Sequence, residues 1–481
     1  MTILGIDLGT SSVKAIILDE RGQGLAESKA DYRVLSPQPG WAESNPLEWW
    51  VAVIKAVRSV TEQAPEAKIS AIGLSGQMHG VVLADQQGQP LRNALLWADN
   101  RAERELDQYR NLPLAIRKSL ANPLVPGMAG PFLCWLMHNE AASYQAARWA
   151  LQPKDWLRFL LTGSAASDPS DASATLLYDL PTDRWADDVI SALGLRRELL
   201  PPLLPSSSQA GELRKQAAAE MGLQAGLPVA VGAGDTAAAA IGTGMLEPGT
   251  IQLTLGTGAQ LIQIYTQPES DPTERTHLYR AADKARWYTM AAVQNAGLAL
   301  DWVRRTFNAS WDEIYASADA VPPGSAGLTF LPYLTRERAH QPNSDSKGAF
   351  LGMRIDHQRE HLLHAALEGV ALGIRMALDA LPGSDEVEIL RVAGGGSIHP
   401  AWRQMLSNVL RRELLAVDTP AASARGAALL GGIAAGTWAD VQATLTVAPS
   451  SRTVAVPDEE QASIYKDVYT QYSLYGMFRP E

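Results

Sequence analysis

The stretch IDLGTSS, Ile6 to Ser12, decides the fold. An apolar run carries one aspartate, then breaks into a glycine and three hydroxyl residues. The flanking segments TILGIDLG and VKAIILDERGQGLAESKADYRV alternate and are rich in β-branched residues. With ERGQG as a turn they predict three antiparallel strands. Near the middle of the chain the pattern returns as LTLGTGA, Leu253 to Ala259, inside TIQLTLGTGAQLIQIYTQ, now without the acid. Half the chain separates the two turns, far more than a solenoid repeat. Two readings stand side by side: two similar α/β domains with a cleft between them, or two unrelated hairpins that share a common turn.

The length of 481 residues exceeds what one core usually takes, so at least two domains are expected. Composition is that of a globular protein, with 46% hydrophobic and 19% charged residues. A net charge of -11 argues against a broad nucleic-acid or anionic-membrane surface, while leaving room for one small anionic ligand. The lone cysteine, Cys134, reads as a packing residue; one cysteine forms no intrachain disulfide, which suits a reducing cytosol. MTILGIDLG lacks the basic start of a signal peptide, and GAALLGGIAAGTWA is too short for a membrane span and reads as a tightly packed helix. A cytoplasmic protein is expected.

Between the hairpins, NPLEWWVAVIKAVRSVTEQA has helical spacing, with Asn45 as N-cap and Pro46 in the first turn. KISAIGLSG is a buried strand ending in glycine, and LPPLLPSSSQAGE reads as a surface connection. From Gly249 the pattern restarts. EVEILRVAGGG is a strand ending in glycines, PAWRQMLSNVLRREL a helix opened by Pro400, and SARGAALLGGIAAG a small-residue helix. The tail DEEQASIYKDVYTQYSLYGMF predicts a helix whose tyrosine stripe packs on the second domain.

A Gly-Thr turn between strands exposes consecutive backbone N–H groups, and small residues let an anion come close. Gly9, Thr10, Ser11 and Ser12 form the first such turn, with Lys14 adding charge; Gly256, Thr257 and Gly258 form the second. Opposed, the two would hold a polyphosphate from both sides. Asp7, at the strand end facing the phosphates, suits Mg²⁺ through water, and only one turn needs that carboxylate. In VAGGGSIHPAW, Gly394, Gly395 and Gly396 follow a strand and precede a helix, open to a flat or charged ligand. The run is not GxGxxG and no GxxxxGK[ST] occurs, so a nucleotide would be held by a different architecture.

In VAVGAGDTAAAAIGTG a strand runs into a glycine turn carrying Asp235, and a small-residue helix follows. Such an acid is a candidate general base or metal ligand. It is also placed to cap the helix, and the roles are compatible. Gln77, Met78 and His79 follow a buried strand, where α/β proteins place ligand contacts; for His79 the ligand and structural roles are balanced. SDPSDASAT offers Asp168, Ser170, Asp171 and Ser173 as hydroxyl-binding groups, or is a plain loop. His357, His361 and His364, with Glu360, fall at helical spacing but do not form HExxH. They are expected to divide between a solvated and a packed face rather than to bind a metal.

Taken together these motifs resemble the FGGY family of carbohydrate kinases, within the actin–hexokinase–Hsp70 ATPase fold, over essentially the whole chain. GIDLGTSSVK matches the family's first phosphate motif and LTLGTGA its second, where the family usually has serine at the position of Gly258. VAGGGSIHPAWRQML resembles the adenosine motif, which implies Gly394, Gly395, Gly396 and His399 as nucleotide contacts. GAFLGMRIDHQREHLLHAALEG fits the second signature, with Glu368 at its terminal acid. GAGDTAAAA matches the segment whose aspartate takes the proton from the sugar hydroxyl, which implies Asp235. SGQMHG, GWAESNPLEWW, LLWADNRA and PKDWLRFLLTGSAASDPSDAS are most similar to the xylulose-phosphorylating members, whose Met-His pair, here Met78 and His79, contacts the sugar. Some positions depart. Phe132 stands where the first signature has lysine, and Arg336, Ala339 and His340 alter the family's GERTP. WADNR is also similar to the family's gluconate kinases. These departures bear on the sugar's identity, not on the kinase reading.

The resemblance implies an α/β fold of two similar actin/hexokinase/Hsp70-like (ribonuclease H-like) ATPase domains around a cleft. Residues 1–246 would be the N-terminal FGGY domain, with the sugar side and the first phosphate motif; residues 247–481 would be the C-terminal one, with the second phosphate and adenosine motifs. The implied reaction moves the γ-phosphoryl group of ATP, with Mg²⁺, to the 5-hydroxyl of D-xylulose. Sugar would lie near Gln77, Met78, His79, Asp99 and Asp235. Ribulose, gluconate or another ketose is the rival inside the family, and a non-sugar ATPase of the same fold the rival outside it. No nucleic-acid or membrane partner is expected, and a homodimer is left open.

Overall fold

The computed structural model describes residues 1–268, 270–335, 347–419 and 421–476; Arg336, Ala339 and His340 lie outside the described residues. The opening segment folds as read. Strands β1 (Thr2–Leu8), β2 (Ser12–Asp19) and β3 (Gly24–Asp31) pair antiparallel. Helix α1 (Pro46–Gln63) starts at Asn45, whose side chain accepts the N–H of Leu47, and buries Trp49, Val53, Val57 and Val60. This crossover returns the chain in its original direction, so strand β4 (Ile69–Gly76) lies parallel to β1.

Helix α2 (Pro153–Thr162) and the short helix α3 (Pro169–Ala172) precede strands β5 (Gln209–Glu212), β6 (Pro228–Ala230) and β7 (Ala233–Gly234). These complete a seven-stranded sheet in the order β5-β6-β4-β1-β2-β3, with β7 also parallel to β4. The connection read as surface is partly drawn inward: Ser206 is buried and donates to Asp168. Helix α4 (Asp235–Gly242) leaves β7 directly.

The second half repeats the plan. Strands β8 (Ile251–Leu255) and β9 (Ala259–Tyr265) form the second hairpin, extended antiparallel by β10 (His277–Arg280) and β11 (Trp287–Val293). Helices α5 (Gly297–Thr306), α6 (Trp311–Ala320) and α7 (Arg359–Asp379) lead to β12 (Ile389–Ala393), which lies parallel to β8 as β4 does to β1. Helix α8 (Pro400–Leu410), strand β13 (Glu413–Val417), helix α9 (Ala422–Ala434), strand β14 (Ser451–Ala455) and helix α10 (Glu459–Gly476) follow. The second sheet runs β10-β11-β9-β8-β12-β13-β14. Each Gly-Thr turn therefore joins a hairpin whose first strand lies beside a parallel strand that ends in glycine or runs into it. This shared plan decides for two similar units over two unrelated hairpins. At the place of Asp7 the second hairpin has Thr254.

Helix α9 crosses back onto the first sheet. A Cβ at Gly73 on β4 would stand 1.7 Å from the carbonyl oxygen of Ala427, and one at Gly5 on β1 2.1 Å from that of Ala424. Helix and sheet backbones touch, which is why the helix is built of alanine and glycine. Gly73→Ala is expected to cost at least about 1–3 kcal/mol by overpacking. A denaturation midpoint equal to the parent's would contradict this packing.

Tyr465 and Tyr472 of α10 are buried in the second core, as their stripe predicts. Cys134 is buried in the first core, and burial pushes its thiol up to about 12, as befits a packing residue. Helix α7 is long and apolar enough to cross a membrane by length and composition, but 78% of that window is buried inside the protein. The three histidines at its start divide between two environments. His357 and His361 accept the backbone N–H groups of Arg354 and Gln358, while buried His364 contacts the Ser317 carbonyl and Glu368.

Candidate active site

Three strand ends converge. The register places Asp7 of β1 beside Ser75 of β4, and Ala233 of β7 beside the same Ser75. Asp235 follows two residues later. The Ser75 hydroxyl donates to Asp7 Oδ1 at 2.7 Å. Asp7 and Asp235 remain partly accessible while most of the strand residues leading to them are buried. Burial raises the Asp7 carboxyl, opposed by the Ser75 hydrogen bond and the charge of Lys14. Burial, and then the charge of Asp7, push the Asp235 carboxyl up to about 7 against two hydrogen bonds from Thr236. The expected capping role is altered: Gly234 is the N-cap, and Asp235 is the first helical residue, accepting the adjacent Thr236 N–H at 2.6 Å.

Both Gly-Thr turns are closed by backbone hydrogen bonds, Gly9 N to Ser12 O at 3.0 Å and Gly256 N to Gly258 O at 2.8 Å. Donors from elsewhere hold the first turn from behind. Gln77 Nε2 reaches the Gly9 carbonyl at 3.3 Å, and the Tyr32 hydroxyl donates to the same oxygen. Trp97 Nε1 donates to Thr10 Oγ1 at 2.9 Å, which leaves that hydroxyl's own hydrogen to point elsewhere. Ser11 is exposed at the tip, and Lys14 sits opposite Asp7 across the hairpin. At Gly258 a Cβ would stand 2.9 Å from the Val293 carbonyl oxygen, so glycine fits this backbone as it stands. Tyr32 and Trp97 were not picked out from the sequence, since nothing local links them to residue 9 or 10.

Gln77, Met78 and His79 are buried just past β4. His79 adopts a left-handed φ of 72°, a costly conformation for a residue with a side chain. Its Nδ1 lies 2.8 Å from the Ala174 carbonyl and its ring packs on Tyr279 at 5.9 Å. Met78 sulfur lies 3.6 Å from the Tyr288 hydroxyl. Gln260 Nε2 lies 3.3 Å from Thr236 Oγ1. The second sheet thus walls this side with Tyr279, Tyr288 and Gln260, which strand patterning alone reads as ordinary sheet residues.

Asp99 sits differently from its expectation as a sugar contact. Both of its oxygens are taken by Arg101, and Oδ2 also accepts the Ala42 N–H at 2.6 Å. Its side chain has no exposed surface. Arg101 continues to Glu43 at 2.7 Å and lies 3.6 Å over the Trp41 ring. Asp99 therefore braces the loop that follows β3. Asp168 and Asp171 are likewise turned inward, onto buried Lys154.

On the second unit a cleft of about 490 Å³ opens between the second Gly-Thr turn and the glycines after β12. Gly256, Thr257, Gly395 and Gly396 line it, with Trp311 and Tyr315 as an aromatic wall. Gly394 has a φ of 88°, and a Cβ there would meet the Leu255 carbonyl oxygen at 2.3 Å; Gly395 has open space at its own Cβ position. His399 stacks on Tyr315 at 4.4 Å and so backs the wall. Gly297 lets α5 start against the turn, since a Cβ would stand 2.3 Å from Gly256 O. The glycine after the strand in AAVQNAG was the available signal for it. Among the described residues no group of three or more His, Cys, Asp or Glu forms a metal cage. One carboxylate, Asp7, beside a phosphate-sized turn is the donor set that suits Mg²⁺ carried by phosphates and water.

Models of the FGGY family of carbohydrate kinases match both halves, its N-terminal domain over residues 2–242 and its C-terminal domain over residues 251–435. The chain is 31% identical to a xylulose kinase of Bacillus subtilis over 98% of this chain and 95% of that one. It is 30% identical to a gluconokinase of the same organism, covering 90% and 88%. A crystal structure of a "xyloylose kinase" from Brucella ovis superposes with a TM-score of 0.92 at 34% identity, covering 99% of this chain and 98% of that one.

Proposed function

The chain belongs to the FGGY family of carbohydrate kinases, and we propose that within this family it transfers the γ-phosphoryl group of Mg-ATP to the 5-hydroxyl of D-xylulose. It is a sugar phosphotransferase. The observation that supports this reading is the placement of Asp7 on β1 and of Asp235 just past β7, the two strands flanking β4, with Gln77, Met78 and His79 leaving β4 between them. Phosphoryl transfer asks a protein mainly for positioning and charge neutralisation.

In this reading Asp235 orients the attacking hydroxyl and accepts its proton as the bond to phosphorus forms. Gln77, Met78 and His79 hold the sugar and keep water out. Asp99 supports the site through Arg101. Asp7 would hold Mg²⁺, which would supply charge neutralisation at the phosphates. Gly9, Thr10, Ser11 and Ser12, with Lys14, grip the phosphates from one side, and Gly256, Thr257 and Gly258 from the other. Gly394 sets the turn that lets Gly395 and Gly396 face the adenosine, with His399 behind Tyr315. Residues 1–246 would then supply the sugar side and residues 247–481 the nucleotide side.

The xylulose kinase relatives support this sugar; the gluconokinase relative supports gluconate as the second reading. D-Xylulose is expected to give the highest kcat/KM in a panel with D-ribulose, gluconate and glycerol. A lead of about tenfold for another sugar, roughly 1.4 kcal/mol, would overturn the sugar assignment and leave the family intact. His79→Ala is expected to weaken sugar binding by about 1–3 kcal/mol if its ring makes a buried hydrogen bond to the sugar. Parent-like KM and kcat in that variant would leave His79 a packing residue.

A further inference from the structure

We propose that Ser170 is a positioning residue for phosphoryl transfer, fixing the Gly234–Asp235 turn from behind so that the base is aimed. The inference rests on Asp235 acting as that base. Ser170 is fully buried on α3. Its hydroxyl donates to Asp168 Oδ2 at 2.5 Å and accepts the N–H of Gly234 at 3.1 Å.

What lies behind Ser170 is rigid. Asp168 Oδ1 meets Lys154 Nζ at 2.8 Å, and Oδ2 also accepts the Ser170 N–H at 3.0 Å and the Ser206 hydroxyl at 2.6 Å. Lys154 also contacts Asp155 at 2.6 Å and Asp171 at 3.0 Å, and Arg158 pairs with Asp155 at 2.8 Å. None of these five charged side chains has exposed surface. Ahead of Ser170 the chain runs into Asp235 through Gly232, Ala233 and Gly234, where β7 pairs with β4 and the Ser423 hydroxyl donates to the Asp235 carbonyl at 3.2 Å. The side-chain bonds of Asp235 reach only its neighbour Thr236. Ser170 adds a hydrogen bond that ties this turn to the ionic cluster. A base displaced by about 1 Å costs on the order of a hundredfold in rate.

The test is a mutant cycle. Ser170→Ala is expected to lower kcat by about tenfold to a hundredfold with KM for Mg-ATP held within about twofold. Added to Asp235→Asn, it is expected to lower kcat little further, since no base remains to aim. Ser206→Ala removes another donor from the same Asp168 oxygen while keeping the Ser206 carbonyl's bond from the Gly232 N–H, and is expected to keep the parent kcat. Equal losses in Ser170→Ala and Ser206→Ala, or a full additional loss in the Asp235→Asn background, would overturn the proposal in favour of a purely structural role. So would a parent-like Ser170→Ala beside a crippled Asp235→Asn. A parent-like Asp235→Asn would instead remove the base assignment beneath it. If Ser170→Ala does not fold, Ser170→Cys is read on the same criteria, because a thiol keeps the volume and is only a weak acceptor.

Discussion

Asp235→Asn is expected to lower kcat by about 10²–10⁴-fold at saturating sugar and Mg-ATP, the usual worth of general base catalysis. The substitution keeps the shape and the bond to Thr236 while removing basicity. Nucleotide binding should change little, because the glycine-lined cleft lies on the other unit. The pH dependence gives a second reading of the same group. Burial and the charge of Asp7 bring the Asp235 carboxyl to about 7. Below that pH the carboxyl is protonated and is not basic enough to take the sugar's proton; above it the base form dominates. The kcat/KM for sugar should therefore rise as pH increases through about 7, and this limb should be missing in Asp235→Asn. Activity of the variant within about threefold of the parent would leave Asp235 a structural residue.

Lys154→Met should have the largest effect on stability, a loss of about 3–5 kcal/mol, because it leaves buried carboxylates without their cation. Burial works against charge on Lys154, but Asp155, Asp168 and Asp171 outweigh it and hold the ammonium protonated. Burial pushes Asp171 well up despite Lys154, and the charges of Asp155 and Asp168 add to the rise. Denaturant unfolding of Lys154→Met measures the loss, and Asp168→Asn in that background should recover part of it. A variant as stable as the parent would show that the cluster does not anchor this part of the fold.

The strands, the repeated turn and the helix starts were legible because their signals are local. β-branched alternation marks the strands, Asn45 caps its helix as read, and Pro400 opens its own. The acids Asp7 and Asp235 stood out because each is an isolated charge beside small residues. What was not legible depends on partners far along the chain. Asp99 looks free in LLWADNRA, yet Arg101 and the Ala42 N–H take its carboxylate. Asp168 and Asp171 look like ligand groups in a loop until Lys154 is placed between them. The small-residue run of α9 announces close packing but not its target, since Gly5 and Gly73 lie hundreds of residues away. Trp311 and Tyr315 carry no local signal of a ligand wall, because β12 and its glycines, far along the chain, close the other side of the cleft.

The most direct test is to identify the product. The protein is incubated with D-xylulose and Mg-ATP, and phosphorus and carbon NMR locate the transferred phosphate while ADP is counted. The expected result is one phosphate monoester on the C5 oxygen of the ketose for each ADP formed, with little ADP when sugar is left out. ADP released together with inorganic phosphate and no sugar ester would contradict the account.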